Sequence, residues 1–280
     1  MLYGSNLVCQ GISKDSLQSI GGFSDAVAFS VDPLGNIFVI DNGSNELVKL
    51  AISENNISRV GGYGWAETAF DRPRDIISPN GLDVYVADYG NHRVLRFDRN
   101  LNLLSIVPSG DNDPRKSRTF GYPLSIALSR FGKLFILDSE NKRLVKISKE
   151  NTIESSIGGT DAGRGRLRNP IKVRISNNDH IYILDDNKII VYDIFGNYLR
   201  SIGKGIFQHI STFTIEGDTI YALDSCIIHQ MNIDGKSKHQ IHLDKYIGNC
   251  YNVVDIYFND HNMFFLTKNE VFFVTITNNL

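Results

Sequence analysis

Apolar residues along this chain come in short runs broken by Gly, Asn and Asp, and one run recurs with an Asp at its end. Its copies are Phe38-Val39-Ile40-Asp41, Tyr85-Val86-Ala87-Asp88, Phe135-Ile136-Leu137-Asp138, Tyr182-Ile183-Leu184-Asp185 and Tyr221-Ala222-Leu223-Asp224. A degenerate sixth reads Phe264-Phe265-Leu266-Thr267. The intervals of 47, 50, 47, 39 and 43 residues match one four-stranded propeller blade. A Pro stands 15 residues before the Asp in three copies (Pro73, Pro123, Pro170), and a large apolar residue three earlier still (Phe70, Phe120, Leu167). Phe23 holds that same place before Asp41.

After the Asp come a polar turn and a second apolar run, at 46–50, 93–97, 143–147 and 188–192, and several units then end in a strand closed by Gly. Each unit therefore reads as strands a, b, c and d joined by tight turns. No stretch of ten or more residues sustains a helical period. The last copy supplies strands near 252–258, 262–267 and 270–276 but no d strand, whereas Leu17-Gln18-Ser19-Ile20-Gly21-Gly22 matches the d strand at 154–159. The chain is predicted to be all-β: a six-bladed β-propeller of four-stranded antiparallel blades, its ring closed by the N-terminal strand in the last blade. Closure leaves only short, protected sheet edges. Residues 13–280 form that single domain, with 1–12 an arm or linker end.

Twenty-nine Lys and Arg against 31 Asp and Glu leave a net charge of −2, which excludes a globally basic nucleic-acid binder and an acidic disordered tail. The 42% hydrophobic content suits a large core, and no run approaches the roughly 18 apolar residues of a membrane span. The first five residues have neither the basic nor the apolar part of a signal peptide, and a leader removed beforehand is left open. Cys9, Cys226 and Cys250 read as isolated small apolar residues, with a single bridge left open by their odd count and wide spacing.

Pro73, Asp75-Ile76 and the run Val84-Tyr85-Val86-Ala87-Asp88-Tyr89-Gly90-Asn91-His92-Arg93-Val94 resemble the NHL repeat, whose six-bladed propellers carry Asn-His-Arg or Asn-His-Leu after the strand-b Asp. Asn141-Lys142-Arg143 keeps part of that signature and Asn45-Glu46-Leu47 less. The resemblance implies the fold but not the activity, because one fold hosts many functions. It also points to a secreted or periplasmic location.

Two enzyme types with NHL-like or similar propellers hold a metal in the channel, on histidines in peptide-amidating lyases and on carboxylates and Asn in lactonase-type hydrolases. By the phasing, only His209 of the seven histidines opens an inner strand, short of the three ligands of a catalytic zinc. Asp75, Asn252 and Asp255 lie at inner-strand starts and form a thin carboxylate set. No Gly-x-Ser-x-Gly elbow is present, and no cofactor is expected. The recurrent Asp41, Asp88, Asp138, Asp185 and Asp224 are expected to tie down b–c turns, with help from Arg93 or Arg143, and His92 to pack between blades.

The d–a connections are basic. They carry Arg72 and Arg74, then Arg115, Lys116 and Arg118, then Arg164, Arg166 and Arg168 with Lys172 and Arg174. Segments 70–75, 111–118 and 160–174 have net charges of 0, +1 and +4. Such a field favours an anionic partner. Trp65, in the first of these loops, is either a wedge between blades or an exposed anchor. The expected function is a non-enzymatic binding or scaffold module, monomeric, engaging a protein, peptide or glycan through this face. A metal-dependent hydrolase or lyase in the channel is the first alternative, and RNA binding through the basic loops the second.

Overall fold

The computed structural model describes residues 17–51, 56–110, 120–248, 250–259 and 262–275. The arm at 1–12, Cys9, Arg115, Lys116, Arg118 and His261 lie outside the described residues. Among the described residues twenty-four strands form six four-stranded antiparallel sheets. The N-terminal β1 (Gln18–Gly21) comes first, and blade 1 follows with β2 (Ala26–Val31), β3 (Ile37–Asp41), β4 (Glu46–Ala51) and β5 (Asn56–Gly61). Blade 2 holds β6 (Asp75–Ile77), β7 (Asp83–Asp88), β8 (Arg93–Asp98) and β9 (Leu103–Pro108). Blade 3 holds β10 (Pro123–Leu128), β11 (Leu134–Asp138), β12 (Arg143–Ile147) and β13 (Ile153–Ile157). Blade 4 holds β14 (Pro170–Ile175), β15 (Ile181–Asp185), β16 (Lys188–Tyr192) and β17 (Tyr198–Ile202). Blade 5 holds β18 (Ile210–Glu216), β19 (Thr219–Asp224), β20 (Ile227–Asn232) and β21 (Ser237–His242). Blade 6 is β22 (Val253–Phe258), β23 (Asn262–Thr267), β24 (Glu270–Thr275) and, as its fourth strand, β1.

The ring closes as the sequence predicts. Ile20 pairs with Val271 and Gln18 with Phe273, and Leu17 and Ile20 are half-buried against the clusters on either side of blade 6. Beyond the strand, the backbone N–H groups of Gly22 and Phe23 both donate to the Asn269 carbonyl, at 3.0 and 3.1 Å.

The core lies between blades, in six clusters that each join two neighbours. Each cluster holds one wedge from the chain just before strand a. These wedges are Phe23, Phe70, Phe120, Leu167, Phe207 and, before blade 6, Cys250, all at most 4% exposed. The wedge explains why strand d ends in Gly. A Cβ on Gly158 would lie 2.6 Å from Leu167 Cγ, and its φ of +78° disfavours any other residue.

The strand-b Asp is a clamp with a wider grip than the sequence suggests. Asp41 accepts from the N–H groups of Ser24 and Asp25, Asp185 from Arg168 and Asn169, and Asp224 from Gln208 and His209, all at 2.7–2.9 Å. The main donors thus belong to the d–a connection entering the same blade. Arg93 and Arg143 close the clamps of Asp88 and Asp138 at 2.8 and 3.3 Å. In blade 5 the residue facing Asp224 is Ile227, and His229, two residues further along β20, lies 3.8 Å from the carboxylate. His92 sits between blades, its ring 4.1 Å from that of Tyr122 and Nδ1 3.0 Å from the Gly121 carbonyl.

Cys226 and Cys250 form a disulfide, which corrects their reading as isolated residues. Cys226 follows the strand-b Asp of blade 5, and Cys250 is the wedge before blade 6. The repeat brings both to the same end of the molecule, with Cα atoms 5.4 Å apart, a spacing a bridge can span.

Candidate functional site

One position recurs on every inner strand, paired with the residue just before the strand-b Asp or its Thr267 counterpart. It is Ala28, Asp75, Ser125, Lys172, Thr212 and Asp255 in blades 1 to 6. These six residues ring the channel, and five of them (all but Asp255) line a cavity of about 160 Å³ at the end where the d–a connections enter. Val27, Leu124, Ile171 and Val254, one residue earlier on their strands, form its apolar wall, and Arg74 and Ser211 hold the equivalent places in blades 2 and 5.

Beneath the cavity the ring is bound by charge. Arg174 grips Asp75 at 3.1 and 3.2 Å, while Ser125 Oγ donates to the same carboxylate at 2.5 Å and the Ile126 N–H at 3.0 Å. Lys172 Nζ donates to Asp255 and, at 2.8 Å, to Thr212, which itself donates to Asp255 at 2.8 Å. Blade 4 therefore reaches both ways, across blade 3 to blade 2 and across blade 5 to blade 6. Burial opposes ionisation of Asp75, but Arg174 and Lys172 outweigh it and, with the bonds from Arg174 and Ser125, hold the carboxyl below the ordinary carboxylate range. Burial also lowers the pKa of Lys172, as does Arg174, against the pull of Asp255 and Asp75.

This network redistributes the predicted site residues. Lys172 and Arg174 are not on the loop surface; both turn into the channel, because β14 has already begun at Pro170. Asp75 and Asp255 do share the channel, but each is paired with one of those cations. Asn252 is exposed on the short 3₁₀ turn Cys250–Asn252 and lines a separate recess with Leu17, Tyr246 and Phe272. Among the described residues no three His, Cys, Asp or Glu side chains are grouped to hold a metal ion.

The loop-bearing end keeps the other basic residues. Arg72, Arg74, Arg164, Arg166 and Arg168 are exposed, and the last three make no ion pair among the described residues. Trp65 is 82% exposed and Tyr63 75%, so the indole is not a wedge between blades. It borders a recess of about 410 Å³ over the turn Gly90–Arg93. That turn is anchored to the Trp65 loop: Asn91 Nδ2 donates to the Gly64 carbonyl at 2.9 Å, and Arg93 to those of Ala66 and Ala69 at 2.8 and 2.6 Å. Beside it Tyr89 stacks on Tyr122 with ring centres 4.8 Å apart. Arg72 and Arg74 lie 5.9 and 5.5 Å from the Tyr89 ring, within cation–π range.

The NHL repeat family matches residues 70–97, which span the wedge Phe70 to strand β8. No curated protein sequence matches the chain significantly. Among solved structures, virginiamycin B lyase from Staphylococcus aureus superposes with a TM-score of 0.64 at 11% identity, covering 93% of this chain and 99% of its own. A streptogramin B lyase superposes at 0.62 and 11% identity, covering 90% and 80%. A chain of a nidogen/laminin complex superposes at 0.62 and 12% identity, covering 80% and 82%. At such identities the likeness shows the fold alone. The chain is a six-bladed β-propeller whose second blade matches the NHL repeat.

Proposed function

We propose that the protein is a binding or scaffold module that engages an acidic segment of a protein partner through the loop-bearing face. The observation that carries this reading is the group of exposed arginines, Arg164, Arg166 and Arg168, free of ion pairs among the described residues, on the same face as the 82% exposed Trp65. Unpaired guanidinium groups suit carboxylates by their fork geometry, and an exposed indole is a common anchor in interfaces. A nidogen/laminin complex among the structural neighbours is compatible with a propeller serving as a protein-binding platform. The two lyases among them keep an enzyme reading in view, but here the channel acids face Arg174 and Lys172. A cation at Asp75 or Asp255 would have to displace them. The Cys226–Cys250 bridge favours an oxidising compartment.

Capture experiments with the wild type, an Arg164→Glu/Arg166→Glu/Arg168→Glu variant and a Lys149→Glu control on the opposite face test this reading. Partners retained by the wild type and the control but lost from the triple variant support it. Identical partner sets for all three proteins contradict it.

A further inference from the structure

The cavity at the channel mouth has a composition that the loop-face reading does not use. Its volume of about 160 Å³ is well below the roughly 300–1,000 Å³ of a drug-sized pocket, and about five times the share of one liquid water. It admits a ligand group of only a few heavy atoms. Part of its wall is aliphatic, from Val27, Leu124, Ile171 and Val254, and the rest is polar, with Arg74 at the rim and Lys172 at the floor.

Charge decides the class of ligand. Asp75 and Asp255 are matched one to one by Arg174 and Lys172, so the floor is neutral as a whole. Asp75 also accepts from Ser125 and from the Ile76 and Ile126 N–H groups, which leaves it little capacity to repel an anion. Arg74 has no ion pair among the described residues and adds one positive charge. Thr212 and Asp255 account for two of the three donors on Lys172. A carboxylate here would meet charged donors in a small recess lined by both aliphatic and polar side chains, where such bonds are stronger than in open water.

We propose that the channel mouth is a socket for a carboxylate on a short aliphatic stem, the stem against Val27, Leu124, Ile171 and Val254 and the carboxylate held by Arg74 and Lys172. The proposal shares Arg74 with the loop-face reading but not Arg164, Arg166 or Arg168, so the two can fail separately.

Calorimetric or NMR titration of the full chain tests it, with butyrate, its neutral isostere butyramide, and a glutamate blocked at both ends. Saturable binding of butyrate assigns the socket to free acids, and binding of the blocked glutamate alone assigns it to an acidic side chain. In either case Arg74→Ala should weaken binding at least about tenfold, the effect of losing a charge-assisted bond. Ser211→Trp, which fills the mouth, should abolish it, and the Arg164/Arg166/Arg168 triple variant should bind as the wild type does. Failure of both acids to bind, equal binding of butyramide, or undiminished binding by Arg74→Ala would overturn the proposal.

Discussion

Arg174 on blade 4 holds Asp75 on blade 2 through two guanidinium nitrogens, at 3.1 and 3.2 Å, across the intervening blade 3. Both side chains are largely buried, with exposures of 17% and 4%, so removing one strands the other. Arg174→Met should cost about 3–5 kcal/mol, as for other broken buried pairs. Adding Asp75→Leu should recover much of that loss, because an apolar pair of similar volume carries no desolvation penalty. Urea midpoints of the two single variants and the double variant check this; a double variant weaker than either single one would speak against it.

The same pair makes stability depend on acid. Asp75 has its carboxyl pKa lowered in the folded state, so its contribution is complete above the unfolded value of about 3.9 and is lost as pH falls through the folded one. Asp75→Asn should therefore be much weaker than the wild type at pH 6–7, with the gap closing below about pH 4. Asp88 has the opposite shift, raised by burial, but both proteins share it and it cancels from the comparison. A gap that stayed constant down to pH 2.5 would exclude this linkage.

Ring closure offers a second stability test. Removing residues 1–22 takes away β1 with Leu17 and Ile20, each worth roughly 1.5–3 kcal/mol if fully buried, and less here because both are half-buried. It also exposes the edge of β24. A fall in Tm of more than about 5 °C is expected at this chain length. Melting within about 2 °C of the full chain would mean that the closing strand contributes little.

The disulfide encloses a loop defined by a separation of 24 residues, for which loop-closure entropy gives a stabilisation of about 3 kcal/mol. The Cys226→Ser/Cys250→Ser double variant should unfold at a correspondingly lower urea concentration. Native protein should show two fewer titratable thiols than reduced protein; equal thiol counts would rule out the bridge.

Much of this architecture was legible because blades repeat. The strand-b Asp, the wedge before strand a and the Gly ending strand d each recur at fixed offsets, so Phe23, Phe70 and Leu17–Gly22 could be placed from the sequence. The channel network was hidden for the opposite reason. Its six residues share a position but no chemistry, running Ala, Asp, Ser, Lys, Thr, Asp, and no composition signal marks such a set. Counting back 13 residues from the strand-b Asp in blades 1 to 4, and 12 from Asp224 and from Thr267 in blades 5 and 6, would have found it. Lys172 and Arg174 read as loop residues because Arg164, Arg166 and Arg168 precede them in one basic run, although Pro170 marks where the inner strand starts. A single bridge stayed only an open alternative, its partners unplaced, because Cys250 replaces the bulky wedge of the other blades and so breaks the pattern that would have located it.

Recognition of acidic chains by the arginine-bearing face is the central claim. The most direct measurement is binding of the full chain to immobilised acidic, neutral and basic peptides of equal length, with wild type and the Arg164→Glu/Arg166→Glu/Arg168→Glu variant, at 50 and 300 mM salt. The wild type should bind the acidic peptides, less tightly at high salt, and the variant should not. Equal binding to all three peptide classes, or undiminished binding by the variant, would contradict it.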